Sequence, residues 1–274
     1  MGSQVEAAAV VVTEDGPVWT IRLNRPERLN ALNPEAIALF REGMIRFRDC
    51  AAARVCILTG TGPRSFCTGA DLRDTLPPSR SFASAMFAQD EESIESGNYI
   101  RGLDLVRIGL GKPVIAAING YAVGGGLEIA LACDIRLCSN NASFGLTEVR
   151  IGSIAAVGGI QQLMRSVPHS AAMTMILTGG RIDADKAARF GIVSEVMPLE
   201  DLMPRALELA REIAANAPLA VQAARLLALQ GADMTLQQAM LLEQLAWGVL
   251  RDTEDRIEGR KAFTEKREPQ FKGC

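Results

Sequence analysis

Residues 112–134 constrain the fold of this 274-residue chain more than any other stretch. They begin with an uninterrupted apolar run, Val114–Ile118, behind a proline, and this pattern predicts a buried strand. A triple glycine at 124–126 follows, and apolar residues then recur at helical spacing, with Glu128 one residue into the predicted helix. A strand, a glycine turn and a helix start in succession could present backbone N–H groups to a small anion.

Three other interpretations of this stretch would lead to different proteins. As a membrane span it is nearly long enough, but Asn119, Glu128 and four glycines in its middle would be costly in lipid. A dinucleotide site requires G-x-G-x-x-G and a nucleotide phosphate loop requires G-K-[ST], and the stretch has neither pattern. The third alternative is a structural turn that packs a helix closely against a strand. The stretch by itself does not distinguish such a turn from a binding site.

Hydrophobic periodicity along the chain predicts an α/β protein, with strand–turn–helix units up to residue 196 and helices alone from residue 199. Strands are predicted over 7–12, 18–23, 55–59, 114–118, 135–138 and 192–196. Helices are predicted over 34–49 behind an Asn33 cap, and over 127–134, 160–166, 168–178, 183–191, 199–216, 219–230, 236–251 and 253–266. The segment 81–110 is also helical in pattern.

Composition and charge argue against several classes of function. The net charge is −3, and 5% of the residues are aromatic, so nucleic acid is not an expected partner. The six cysteines form no C-x-x-C pair and the chain has one histidine, His169, so we expect neither a metal site nor histidine-based catalysis. The N-terminus has no secretory signal pattern. We therefore expect a cytoplasmic protein with no membrane segment.

Two glutamates in apolar surroundings remain as candidates for proton transfer: Glu128 in G-L-E-I-A and Glu148 in F-G-L-T-E-V. A buried carboxylate is costly unless it is paired or functional. The structural alternative is that these acids cap helices or pair with Arg136 or Arg150. Two glycine-containing turns, one before Asp71 and one at the triple glycine, could each present an N–H to one oxyanion. The residues alone therefore indicate an acid–base enzyme that acts on an activated carbonyl.

Five segments, in order along the chain, resemble the enoyl-CoA hydratase/isomerase family, the crotonase superfamily. They are N-R-P-E-R-L-N-A-L (24–32), S-F-C-T-G-A-D-L (65–72), G-Y-A-V-G-G-G-L-E-I-A-L-A-C-D (120–134), F-G-L-T-E (144–148) and A-F-T-E-K-R-E-P-Q-F-K-G (262–273). The resemblance implies a crotonase-type core of coiled ββα units with the active site, over residues 1–198. It also implies a C-terminal helical oligomerisation region, over 199–274, and a homotrimer or a dimer of trimers. The implied substrate is an acyl-CoA thioester, and no metal or other cofactor is implied.

The resemblance also implies roles for individual residues. The N–H groups of Ala70 and Gly125 would hold the thioester oxygen. Glu128 would activate water at the β carbon, and Glu148 would exchange a proton with the α carbon. The residues implied to bind substrate or CoA are Arg28, Leu29, Thr68, Ala70, Asp71, Leu72, Arg73, Gly125, Phe263 and Lys266. In the family, residues at the positions of Phe263 and Lys266 often reach the ligand of a neighbouring subunit.

The leading function implied is hydration of a 2-enoyl-CoA, or dehydration of a 3-hydroxyacyl-CoA in reverse. Double-bond isomerisation needs one acid, so the presence of both Glu128 and Glu148 argues against a pure isomerase. Carnitinyl-CoA-type dehydration, another crotonase reaction and a non-catalytic acyl-CoA-binding role remain as alternatives. Ala155 and Ala156 stand where many hydratases have a proline–glycine pair. This loop and the segment 81–110 shape the acyl pocket in the family, so the acyl preference stays open.

Overall fold

The computed structural model describes residues 8–74, 82–87, 94 and 99–274. Much of the predicted helical segment 81–110 therefore lies outside the described residues, as does Ala7 of the first predicted strand. After helix α1 (Pro34–Asp49), the structure has within that segment helix α2 (Phe82–Phe87), a 3₁₀ turn (Tyr99–Leu103) and helix α3 (Leu105–Ile108). Asp104 begins α3 as its N-cap, since its carboxylate accepts hydrogen bonds from the N–H groups of Val106 and Arg107.

Ten strands form two sheets in the described part of the chain. The strands are β1 (Val10–Asp15), β2 (Val18–Leu23), β3 (Val55–Gly60), β4 (Ser65–Cys67), β5 (Val114–Ile118), β6 (Tyr121–Val123), β7 (Ile135–Ser139), β8 (Ser143–Gly145), β9 (Ile182–Asp183) and β10 (Glu195–Met197). The larger sheet has the order β1-β2-β3-β5-β7-β10, and the smaller has the order β4-β6-β8-β9. Neighbouring strands are parallel except for the pairs β1–β2 and β8–β9.

The chain alternates between the two sheets, because β3, β5 and β7 of the larger sheet are each followed directly by β4, β6 and β8 of the smaller one. After β6 and after β8 the chain continues into a helix. This winding of repeated ββα units confirms the predicted fold class. It also places the carboxyl ends of β4, β6 and β8 side by side, since these three strands are parallel neighbours.

The remaining helices agree with the predicted ones to within about two residues at most ends. They are α1 (Pro34–Asp49), α4 (Gly125–Leu131), α5 (Gly159–Ser166), α6 (His169–Thr178), α7 (Ala184–Phe190), α8 (Leu199–Ala214), α9 (Pro218–Gly231), α10 (Leu236–Leu250) and α11 (Glu254–Glu265). The predicted cap of α1 is confirmed, because the Asn33 side chain accepts a hydrogen bond of 2.9 Å from the N–H of Ala36. Helix α4 ends three residues earlier than predicted. Asp134 instead accepts hydrogen bonds from the N–H of Val114 and from Arg225.

Two predicted strands were misplaced and four short strands, β4, β6, β8 and β9, were missed. The first strand is Val10–Asp15 and not 7–12, because a tight turn at Gly16 pairs Asp15 with Val18. The last is Glu195–Met197 and not 192–196, because pairing with β7 begins at Glu195 while Ile192 is buried in the core. These four strands escaped prediction because runs of two or three residues show no readable alternation.

The larger sheet is covered by helices on both faces. On one face, α1 buries Phe40, Met44 and Phe47 in the main core. On the other face, α8 buries Leu202, Ala206 and Ala210 against Val55, Ile57 and their neighbours. Helix α8 therefore packs on the sheet, although it begins the region predicted to be purely helical. Helices α9 and α10 bury none of their residues within this single chain.

Candidate active site

A cavity of about 170 Å³ lies at the carboxyl ends of β4, β6 and β8. Its lining contains both predicted acids, Glu128 and Glu148, and both predicted N–H donors, Ala70 and Gly125. The other lining residues are Thr68, Gly69, Leu72, Tyr99, Ile100, Leu103, Gly124, Thr147, Ile151, Ser153, Ile154, Ala156 and Val157. The fold therefore brings together four candidate residues from three separate segments of the chain.

The turns that carry Ala70 and Gly125 approach each other closely because both contain glycine. Gly69 has a φ of +81°, which favours glycine, and a methyl group on it would lie 2.8 Å from the backbone nitrogen of Gly125. A methyl group on Gly125 would lie 3.9 Å from the nitrogen of Ala70. Gly125 is the first residue of α4, and the first N–H groups of a helix have no partner inside the helix. Two neighbouring N–H groups of this kind are what an oxyanion requires.

The loop at 24–32 holds the Ala70 turn in place. Leu32 donates its N–H to the carbonyl of Gly69 and accepts from the N–H of Asp71, at 2.8 and 2.9 Å. The guanidinium of Arg25 lies 3.0 Å from the Asp71 carboxylate. Burial opposes the ionisation of Asp71, but the hydrogen bond from Arg25 and that from the N–H of Arg73 prevail, so the pKa of Asp71 lies below its usual range. Asp71 thus supports Ala70 and is absent from the described lining of the cavity.

Glu128 is the fourth residue of α4, not the second as predicted, because the helix begins at Gly125. Its side chain is buried, and Oε1 accepts hydrogen bonds from the N–H groups of Val157 at 2.7 Å and Gly159 at 3.0 Å. Burial raises the pKa of Glu128, while the N–H groups of Gly159, Val157 and Ala156 partly offset that effect. The loop with the unusual alanine pair is therefore the loop that fixes this acid.

Glu148 lies opposite, at the start of a 3₁₀ turn, Glu148–Ile151. Its Oε2 atom is buried and has no hydrogen-bond partner among the residues that the structure describes. Burial raises the pKa of Glu148; its own backbone N–H partly offsets this effect, and the charge of Glu128 raises the pKa further. A methyl group on Gly124 would lie 3.4 Å from Oε1 of Glu148. The two acids are therefore electrostatically coupled across the cavity.

The ion pairs considered as a structural explanation of these acids do not form. Arg136 donates to the carbonyls of Cys133 and Ile192. Arg150 donates to the carbonyl of Thr178. Neither arginine contacts the acids, so the pairing alternative is wrong for both.

The other residues implied to bind substrate or CoA lie in three places. Thr68 and Leu72 line the cavity, and the carbonyl of Leu29 accepts a hydrogen bond of 3.3 Å from the Thr68 hydroxyl. Arg28 and Arg73 are exposed near the Ala70 turn. Phe263 and Lys266 belong to the C-terminal end of α11, and they are not part of the described lining of this chain's cavity. Phe263 is 87% exposed.

Sequence reasoning missed the wall formed by Tyr99, Ile100 and Leu103. These residues come from the 3₁₀ turn within the segment 81–110, whose helical pattern gave no reason to single them out. It also missed the backbone N–H groups that hold Glu128, since the identity of a residue says nothing about where its N–H points. The usable signal was the glycine at position 159. A methyl group there would lie 2.7 Å from Cγ of Glu128.

Coiled ββα units and a cavity with one buried and one half-buried acid beside two N–H donors define an acid–base enzyme of the crotonase class. The sequence profile described as enoyl-CoA hydratase/isomerase matches residues 13–274, and the chain belongs to that family. (E)-Benzylidenesuccinyl-CoA hydratase of Thauera aromatica is 49% identical over 254 residues, which cover 93% of this chain and 95% of that protein. Carnitinyl-CoA dehydratase of Proteus mirabilis is 38% identical over 271 residues, which cover 96% and 97%.

Solved structures agree with this assignment. The crystal structure of an enoyl-CoA hydratase from Bacillus anthracis superposes with a TM-score of 0.86 at 36% identity, covering 97% of this chain and all of that one. Relatives with hydratase and dehydratase activities indicate that this chain is a hydro-lyase. Across the part of the chain that the structure describes, no helix combines the length and the apolar character needed to cross a membrane.

Proposed function

We propose that the protein adds water across the 2,3 double bond of a 2-enoyl-CoA, or removes it from a 3-hydroxyacyl-CoA in the reverse direction. The observation that supports this most is that the two acids beside the N–H donors differ in their surroundings. Backbone N–H groups hold Oε1 of Glu128 and favour its charged form. Glu148 has a buried oxygen with no hydrogen-bond partner among the described residues, and the charge of Glu128 raises its pKa further, so its protonated form is favoured.

Because the two acids differ in protonation, each carries out one proton transfer. The Glu128 carboxylate takes a proton from water as the water oxygen bonds to the β carbon. Electrons of the double bond move toward the thioester, and the enolate oxygen receives hydrogen bonds from the N–H groups of Ala70 and Gly125. Glu148 then delivers its proton to the α carbon. The two acids titrate as a coupled pair. In the reverse reaction Glu148 takes the proton from the α carbon and Glu128 gives one to the leaving water.

The size of the cavity and the names of the relatives bear on the acyl group. A cavity of about 170 Å³ is similar to the engineered apolar cavity of about 150 Å³ that binds benzene. The relative with 49% identity acts on benzylidenesuccinyl-CoA. We infer that the acyl group of this chain's substrate is a short chain or carries a single ring, with cinnamoyl-CoA as the simplest aromatic example.

The expected assembly is a homotrimer or a dimer of trimers, with CoA bound partly by a neighbouring subunit. Phe263 and Lys266 lie away from the described cavity of their own chain, which supports their expected role at another subunit's ligand. Helices α9 and α10, which bury no residue in the single chain, would form much of the contact between subunits. Residues 199–274 would then serve as the oligomerisation region, although α8 also covers the sheet. A cytoplasmic location is part of the same proposal.

The test is the loss of enoyl thioester absorbance when the purified protein is mixed with crotonyl-, 2-hexenoyl- and cinnamoyl-CoA. We expect hydration of at least one, and a fall in kcat of about a hundredfold or more in both Glu128→Gln and Glu148→Gln, because each removes one proton-transfer group. CoA affinity should change little. If Glu128→Gln stayed active while Glu148→Gln was inactive, one acid would suffice and an isomerase would be the better account. Binding without turnover of any thioester would instead favour a non-catalytic acyl-CoA-binding protein.

A further inference from the structure

Tyr99 is a polar residue of the cavity that the hydration mechanism leaves unused. It begins the 3₁₀ turn Tyr99–Leu103 and lines the same cavity as Glu128 and Glu148. Its side chain is half-buried, and burial raises its pKa, with the charges of Glu128 and Glu148 raising it further. The phenol therefore lies within the field of both acids. It is therefore protonated, and able to donate a hydrogen bond, at neutral pH.

Several residues that line the cavity together with Tyr99 are apolar. Leu103, in the same turn, comes close to the oxyanion donors, because a methyl group on Gly125 would lie 3.8 Å from Leu103 Cδ1. The facing loops contribute Ile151 and Ile154 to the lining. The Thr68 hydroxyl, at the Ala70 end, donates to the carbonyl of Leu29. A substrate in this cavity thus meets these apolar side chains together with Tyr99, whose hydroxyl can donate a hydrogen bond.

We propose that Tyr99 is a specificity residue whose hydroxyl donates a hydrogen bond to an oxygen substituent on the acyl group. This inference rests on the proposed function and narrows its substrate class to enoyl-CoA thioesters that carry a carboxylate or hydroxyl beyond the double bond. A neutral donor suits this role in a cavity that also contains Glu128 and Glu148. It attracts an oxygen acceptor without forming an ion pair with Glu128 or Glu148, as a lysine or arginine would.

The test compares thioesters that differ by one oxygen group. One pair is 2-hexenoyl-CoA and the CoA monothioester of 2-hexenedioic acid, and the other is cinnamoyl-CoA and 4-hydroxycinnamoyl-CoA. We expect the wild-type protein to prefer the oxygen-bearing member of at least one pair in kcat/KM. Tyr99→Phe should reduce that preference by about 10- to 100-fold, as the loss of one buried hydrogen bond requires. Its kcat/KM for the unsubstituted member should fall much less than its kcat/KM for the oxygen-bearing member.

The matched control is Tyr121→Phe, which removes a phenol hydroxyl from β6, where Arg181 stacks on the ring outside the described lining of the cavity. It should leave the preference unchanged. A wild-type preference for the unsubstituted member of both pairs, or a Tyr99→Phe variant that keeps the wild-type preference, would overturn the inference. An equal loss on both members of a pair would show a structural or catalytic role and would overturn it too.

Failure of the proposed function gives a different result. If the wild-type protein hydrates no thioester, the same pairs are compared by their dissociation constants in calorimetry. Tighter binding of an oxygen-bearing member, abolished in Tyr99→Phe, would then support the role of Tyr99 in recognition although hydration is excluded. Equal dissociation constants for both members would overturn it.

Discussion

At the scale of single residues, the two acids differ in what compensates for their burial. Glu128 receives hydrogen bonds from the backbone, whereas the Oε2 atom of Glu148 has no partner in the described structure. A carboxyl group that is buried in this way destabilises the folded protein when it is charged. Glu148 therefore lowers the free energy of unfolding while it contributes to activity.

Glu148→Gln should stabilise the protein at neutral pH while it abolishes hydration. The pKa of Glu148 is raised in the folded state, so the folded protein binds more protons than the unfolded chain, and the acid's contribution to stability falls as pH rises above the usual carboxyl range. We expect a gain of about 1 kcal/mol at neutral pH, which shrinks below about pH 4, where both states are protonated. Thermal melts at pH 4 and pH 7 measure this. Glu42→Gln on the exposed side of α1 is the control and should show no such gain.

Gly159→Ala should damage catalysis more than folding. The added methyl group would lie 2.7 Å from Cγ and 3.0 Å from Oε1 of Glu128, so the acid or the loop that holds it must move. We expect kcat to fall about a hundredfold, because a displacement of about 1 Å at a reacting group has that effect. Gly111→Ala is the matched control, since its nearest neighbour would be 3.8 Å away. Equal kcat values for the two variants would contradict the role given to Gly159.

At the scale of elements, the active site depends on segments that hold each other in place by hydrogen bonds. The loop at 24–32 pairs with the Ala70 turn, and the loop at 153–159 wraps the side chain of Glu128. These contacts join segments that are far apart in sequence, so no local sequence pattern predicts them. The strand β5 and the Asn33 cap of α1 were predictable because an apolar run and an Asn-Pro step are local signals.

The elements that could not be predicted were those whose limits are set by partners. Strand β6 is a strand because β4 and β8 pair with it on both sides. Asp134 lies outside α4, and its side chain accepts hydrogen bonds from Val114 and Arg225. For the site, the five segments that resemble the family were enough to select Glu128, Glu148, Ala70 and Gly125. They could not select Tyr99, which reaches the cavity through a turn inside the segment 81–110.

Arg25→Leu tests whether the ion pair with Asp71, which holds the Ala70 turn, is needed for a normal kcat. The Arg25 and Asp71 side chains are 14% and 9% exposed, so the change leaves a nearly buried carboxylate without its main partner. We expect a loss of stability of about 3 kcal/mol and a lower kcat at little changed CoA affinity. The double variant Arg25→Leu/Asp71→Leu should recover stability but not kcat. Arg46→Leu, which removes an exposed ion pair with Glu14, should change stability by less than about 1 kcal/mol.

If kcat returned together with stability in the double variant, the loss in Arg25→Leu would come from partial unfolding and not from misplacement of Ala70. If neither changed in the single variant, the pair would not position the turn. Chemical denaturation and steady-state hydration on the same preparations separate these outcomes.

At the scale of the whole molecule, helix α10 exposes more apolar surface than we expect for an isolated chain. It is strongly apolar, yet Leu241, Leu245 and Val249, one helical turn apart from each other, are 57%, 60% and 77% exposed. Contiguous apolar surface of this kind marks a contact with another protein surface. The end of α11, with Phe263 and Lys266, follows in the same C-terminal region.

Leu245→Arg should therefore break the assembly, because it places a charge in the middle of that apolar stripe. Light scattering after gel filtration should show a multiple of 29.4 kDa for the wild-type protein and a smaller species for the variant. The smaller species should also bind CoA more weakly, since Phe263 and Lys266 of another subunit are no longer present. Glu243→Arg changes the same helix about 200° away and should leave the assembly intact. A dissociated variant with unchanged CoA affinity would show that each subunit binds its ligand alone, and the cavity would then have to be complete within one chain.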